Sequence, residues 1–261
     1  MDEYQNVKYS KSFLNEVILR IDFLQFVDSA DIFSPEVEEA VLKNFPRRGK
    51  SQQIHFNSIN LTFNLPDSAL PSTSGETQDG FQREYYSATG NNKVLLSNKF
   101  IVFTIDQYDS FEKHLQWFKN ILIPIFSKKR ITTERIGIRY INLFETEKVK
   151  LQKNYFASEI SAALVTKVPV VQDELSLVRS MHLTEYHVST MTLHFRYGMF
   201  NPNYPNLLTK NSFSLDFDCF TNEPVDAAEK ILNFLEISHS YIQSLFESSI
   251  TDSLRQVMQN E

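Results

Sequence analysis

Glu134-Arg135-Ile136-Gly137-Ile138-Arg139-Tyr140-Ile141-Asn142-Leu143-Phe144 is the stretch on which the fold turns. It predicts a strand, and with a side-chain period of two, Ile136, Ile138 and Tyr140 share one face. Arg135, Gly137, Arg139, Ile141 and Leu143 share the other. Two arginines therefore flank a glycine on a face that then turns apolar. A half-buried strand with one wet face would alternate more cleanly, so this pattern predicts a strand covered on both sides.

Upstream, Val17, Leu19, Ile21 and Phe23 alternate with Glu16, Arg20 and Asp22, which predicts a strand over Glu16–Phe23. Ser34 and Pro35 open a helix as N-cap and first helical residue, and Phe45-Pro46 closes it. Gln53–Asn64 is rich in β-branched and aromatic residues, as a strand is. The segment 66–80, rich in Ser, Thr, Pro and Gly, reads as a mobile surface loop. Phe81–Ala88 and Lys93–Ser97 read as a hairpin around Gly90-Asn91-Asn92, followed by a strand over Lys99–Gln107. Asp109 or Ser110 caps a second helix, which Pro124 should kink or end early.

Downstream of the quoted stretch come a helix over Tyr155–Thr166, a β-rich region over Leu175–Tyr197 and a strand over Ser212–Phe220. A long amphipathic helix then starts near Thr221–Pro224 and runs to about Glu247, and Thr251-Asp252 caps a final short turn. Strands that come in runs, not one for one with helices, define an α+β fold. The expected architecture is a curved antiparallel sheet with long amphipathic helices on one face, on a helix-grip plan or the saddle plan of the TATA-box-binding protein. The chain reads as a single structural unit over 1–261, with two similar halves at 1–150 and 151–261.

Composition removes several functions. Glycine is scarce, 6 residues against 22 phenylalanines, which leaves no glycine-rich phosphate loop. A net charge of −6 repels nucleic acid and anionic membranes, so nucleic acid is an unfavoured partner. The clusters Arg47-Arg48-Gly49-Lys50 and Lys128-Lys129-Arg130 each follow a predicted helix, where cations complement the helix dipole. Cys219 is the single cysteine and lies on the apolar face of its predicted strand, as an inert packing thiol would. The acidic start and the lack of any long apolar run imply neither signal peptide nor spanning helix, hence a cytoplasmic protein.

Two constellations carry chemistry. Asp216 and Asp218 share one strand face, about 7 Å apart by strand rise, with Phe213, Leu215, Phe217 and Cys219 opposite. They balance Arg135 and Arg139 in charge, and cross-strand pairing of the four stabilises a sheet without any catalysis. If the four line a cleft, they form a ligand site with Asn142 nearby, Gly137 leaving space for a bound phosphate or carboxylate. A third arrangement sets Glu16 with Asp216 and Asp218 around Mg²⁺. The six histidines show no metal spacing; His187 and His194, an odd number apart, would face opposite ways in one continuous strand. No nucleophile elbow, zinc helix, Walker loop or dinucleotide fingerprint occurs, and no cofactor is called for.

The landmarks Glu16, Phe45-Pro46, Tyr108, Phe111, Arg135-Ile-Gly137-Ile-Arg139-Tyr140-Ile-Asn142, Tyr197-Gly198, Leu215-Asp216-Phe217-Asp218 and the tail Phe246 to Asp252 occur in this order. In them the chain resembles a sporadically distributed family of bacterial and archaeal conserved hypothetical proteins of about this length. The resemblance implies one continuous unit and supplies no reaction. The expected function is a non-enzymatic interaction or regulatory protein whose partner is another protein, such as the product of a neighbouring gene. The alternative is a small-ligand-binding or metal-dependent, phosphate-acting domain centred on Arg135, Arg139, Asp216 and Asp218.

Overall fold

The computed structural model describes residues 9–62, 72–128, 131–145, 153–164, 178–201, 203–206 and 212–259. Its elements are β1 (Leu14–Phe23), α1 (Ser29–Ile32), α2 (Pro35–Asn44), β2 (Arg47–Thr62), β3 (Ser72–Tyr86), β4 (Asn92–Ser97), β5 (Phe100–Ile105) and α3 (Phe111–Lys128). They continue with β6 (Thr133–Glu145), α4 (Ser158–Leu164), β7 (Ser180–Val188), β8 (Met191–Phe200), β9 (Ser212–Thr221), α5 (Ala228–Ser249) and α6 (Asp252–Gln259). The nine strands form one open sheet in the order β2-β3-β4-β5-β1-β6-β9-β8-β7, antiparallel at every step. The fold class is α+β.

The element order repeats, and so does the register. β1 leads through α2 into the meander β2–β5, whose last strand returns to pair with β1 and is followed by α3. β6 leads through α4 into the meander β7–β9, whose last strand returns to pair with β6 and is followed by α5. Val17 opposes Ile105, which opposes Asn92; correspondingly, Ile136 opposes Thr221, which opposes Met191. The two sets meet at the sheet centre, where β1 and β6 pair with Leu19 opposite Ile138. The order restarts at β6.

One face is dry. Leu19, Ile21, Ile101, Phe103, Ile136, Ile138, Phe213 and Phe217 are fully buried, and ring contacts identify what covers them. Phe118 of α3 meets Phe103 at 4.8 Å, Phe126 meets Phe23 at 6.3 Å, and Phe246 of α5 meets Phe217 at 6.3 Å. Phe156, just before α4, meets Phe144 at 5.1 Å and Phe213 at 5.0 Å. The abundance of phenylalanine is thus spent on the seam between helices and sheet, where large flat side chains fill the gap between layers. Among the described residues no helix packs on the other face, and there Arg135, Arg139, Ile141 and Leu143 stay partly exposed. The expected cover on both sides of β6 is therefore corrected to one side.

Helix ends follow local chemistry. The Ser34 hydroxyl accepts from Val37 N at the start of α2, with Pro35 at the first helical position, as expected. Pro124 lies inside α3 without ending it, since the helix runs on to Lys128. The region expected as a loop over 66–80 is a loop at most in part. Residues 72–80 belong to β3, paired with β2 from Thr62 opposite Ser72 to Ile54 opposite Gly80; 66–71 lie outside the described residues. Ladder pairing here overrides low strand propensity. The helix expected over Tyr155–Thr166 is present as α4 after a short 3₁₀ turn (Lys153–Tyr155), and residues 165–166 lie outside the described residues. Arg48 sits in β2 and pairs with Glu38 at 3.0 Å, so a carboxylate, and not a helix end, receives that cation. No helix among the described residues is long and apolar enough to cross a membrane.

Candidate functional site

Strand parity and register assemble the site. Arg139 of β6 stands opposite Asp218 of β9 and Ile141 opposite Asp216, so these side chains project from the face opposite the described helices. Arg139 reaches diagonally to Asp216 in a bidentate pair, with Nε donating to Oδ1 and Nη2 to Oδ2, each at 2.7 Å. Arg135 approaches Asp218 at 3.9 Å. A third arginine completes the group: Arg196 of β8 lies 3.4 Å from Asp216 and 3.7 Å from Asp218. Its Nη2 also lies 3.1 Å from His194 Nδ1, and His194 Nε2 meets Glu185 at 2.7 Å. A continuous polar row thus crosses β6, β9, β8 and β7.

The row is layered. The Asp216 side chain is 6% exposed and Asp218 16%, whereas Arg135, Arg139 and Arg196 are 32%, 38% and 30% exposed. Over β6, β9 and β8 the carboxylates of Asp216 and Asp218 lie beneath and the guanidiniums lie outward, whereas Glu185 at the β7 end of the row is 48% exposed and is met only by histidines. Hydrogen bonding to Asp216 raises the Arg139 guanidinium further above its ordinary value, so it stays charged throughout. Farther along the face, Arg20 forks onto Asp22 and lies over the Phe100 ring at 5.2 Å. Arg135 likewise lies over Phe220, at 4.7 Å.

Gly137 has its explanation in that last contact. A Cβ there would come within 3.2 Å of Phe220 Cβ and 3.3 Å of Arg135 Nη2. The absent side chain makes room for the Arg135 guanidinium to fold back across its own strand onto Phe220. The space expected for a bound group is filled by the protein itself.

Asn142 does not join this set. Even parity sends it to the helix side, where it is buried and donates from Nδ2 to Leu215 O at 3.3 Å. Glu16 is on the open face but opposes Ile141, which opposes Asp216, so it stands two strands, roughly 10 Å, from Asp216. Burial and then Asp106 raise its carboxyl above the ordinary value. Among the described residues no group of three or more His, Cys, Asp or Glu is placed to hold a metal, so Glu16, Asp216 and Asp218 do not converge. His187 and His194 lie in adjacent strands of a hairpin, both beside Glu185 and on one face, which reverses the expectation from a continuous strand. Cys219 is buried on the apolar face, and burial raises its thiol.

Arg196 escaped sequence reasoning. Its alternation with Phe195 and Tyr197 marks a polar face, but nothing local marks Asp216 as its neighbour; only the β8–β9 register does. Together the fold and the site define an α+β protein with one open, arginine-bearing sheet face. Comparison with protein-family models, curated proteins and solved structures finds no match to this chain.

Proposed function

We propose that this chain is a non-enzymatic binding protein that docks an acidic segment of a second protein on the sheet face opposite the described helices. The observation that carries the reading is the layering of charge over β6, β9 and β8: Asp216 and Asp218 are covered by Arg135, Arg139 and Arg196, whose guanidiniums lie outward of them. Arginine and aromatic side chains are the residues enriched in protein interfaces, and here they are combined, with Arg20 over Phe100 and Arg135 over Phe220. Because Asp216, Asp218 and Phe220 already hold the guanidiniums, little side-chain entropy is lost on docking.

Two further points support the reading. The repeated order of elements, with its matching register across β1 and β6, fits the saddle plan better than a helix-grip plan with a single enclosed helix. Membership of the sporadically distributed family that the Arg135–Asn142 motif resembles belongs to the same proposal, and so does a partner encoded by a neighbouring gene.

Fluorescence anisotropy with a labelled Glu-rich peptide and a neutral peptide of equal length tests it. The account expects saturable binding of the acidic peptide, weakened by salt and lost in Arg20→Glu/Arg135→Glu. Equal affinity for both peptides, or an unaffected double variant, would remove the claim.

A further inference from the structure

A second site lies on the opposite side of the sheet. A cavity of about 140 Å³ opens where β1 begins beside the end of the Arg-Ile-Gly-Ile-Arg-Tyr motif, under α5. The segment before β1 and helix α6 help to close it. Tyr9 and Ser12 line it from one side and Met258 of α6 from the other. They are tied together by Ser10 Oγ and Lys11 N, both donating to Met258 O.

Its polar groups converge. The Tyr140 hydroxyl is 3.1 Å from His239 Nδ1, and the Tyr108 ring packs edge-on against Tyr140 at 5.9 Å. Phe111 stacks on the His239 ring at 3.9 Å and 7°, which fixes the imidazole plane. Leu14, Ile242 and Phe246 supply apolar wall. The single buried acid at the rim, Glu247, is already engaged by Tyr9 at 2.7 Å and Arg255 at 2.8 Å. Burial keeps His239 neutral, its value pushed down to about 4. No uncompensated charge therefore faces the cavity, and a charged guest would be desolvated without a partner.

We infer that this cavity is a binding site for a small uncharged single-ring molecule carrying one hydroxyl or carbonyl, held by the hydrogen-bonded Tyr140–His239 pair with Tyr108 beside it in the cavity wall. Size sets the ring count: a cavity of about 150 Å³ is known to house benzene. Chemistry sets the substituent, because two hydroxyls and a neutral imidazole offer both a donor and an acceptor to a guest. The site shares no residue with the arginine face, so it stands or falls independently.

The test uses phenol, benzene and benzoate as probes on the full chain, by ligand-observed NMR and thermal shift. Phenol should bind in the millimolar range and raise Tm, and benzoate should do neither. Tyr140→Phe, which leaves the shape intact, should weaken phenol about five- to tenfold while leaving benzene unchanged. Ile242→Trp, which fills the cavity, should abolish both if it folds; if it does not, Tyr140→Phe decides. Absence of phenol binding, equal binding of benzoate, or phenol affinity indifferent to Tyr140→Phe would each overturn the assignment.

Discussion

Arg139 on β6 and Asp216 on β9 form two parallel hydrogen bonds of 2.7 Å, although Asp216 directly faces Ile141 in the ladder. The pair is diagonal, and this leaves room for Arg196 to reach the same carboxylate from the other side. Asp216→Ala should remove the anion beneath two cations. Because the guanidiniums keep partial contact with water, the expected loss is about 2 kcal/mol, less than for a fully enclosed pair. Urea denaturation measures it, and an unchanged midpoint would mean that the pair does not stabilise the fold.

Gly137→Ala tests why the motif contains a glycine. The new methyl would crowd Phe220 Cβ, fixed on the neighbouring strand, and the Arg135 guanidinium, which can move away. The expected result is a loss of about 1 kcal/mol with Arg135 displaced from Phe220. A stabilised variant would show that the close contact relaxes freely.

Gly198 is more demanding. It has φ +146°, and a Cβ would run into the Ser180 carbonyl of β7. Gly198→Ala should cost more than Gly137→Ala, about 2 to 3 kcal/mol, and loosen the β7–β8 pairing. Amide exchange rates in β7 read this directly. Exchange as slow as in the parent would refute it.

Acid should weaken the fold through His239. Burial lowers its value from 6.5 to about 4, and nearby Glu112 opposes this only partly. The unfolded chain then binds the proton more readily, so the stability linked to His239 is full above about pH 6.5 and is lost as pH falls toward 4. His114 shifts the same way, again by burial, and adds to the effect. Between pH 7.5 and 4.5, His239→Phe should lose about 2 to 3 kcal/mol less than the parent. Parallel stability curves for the two proteins would contradict this.

The strand alternation of residues 135–144 made its two faces legible, and the equal spacing of Asp216 and Asp218 made the carboxylates legible as one-faced. Parity also placed Asn142 away from the arginines, although its closeness in sequence had grouped it with them. Long-range register was not legible. The link from Arg196 to Asp216 and the stacking of Arg135 on Phe220 each need to know which strand lies beside which. The cavity was less legible still, because Tyr9, Tyr140 and His239 come from three distant segments. Residues 72–80 misled because Gly75, Glu76, Asp79 and Gly80 have low strand preference alone, whereas a long antiparallel partner supplies the missing order.

Arginine-modification footprinting by mass spectrometry, with and without the bound acidic peptide, tests the docking face most directly. The account predicts protection at Arg20, Arg135, Arg139 and Arg196, while Arg48 and Arg83, which belong to the helix side near α2, react as before. Unchanged reactivity of the four face arginines in the complex, or protection confined to Arg48 and Arg83, would contradict it.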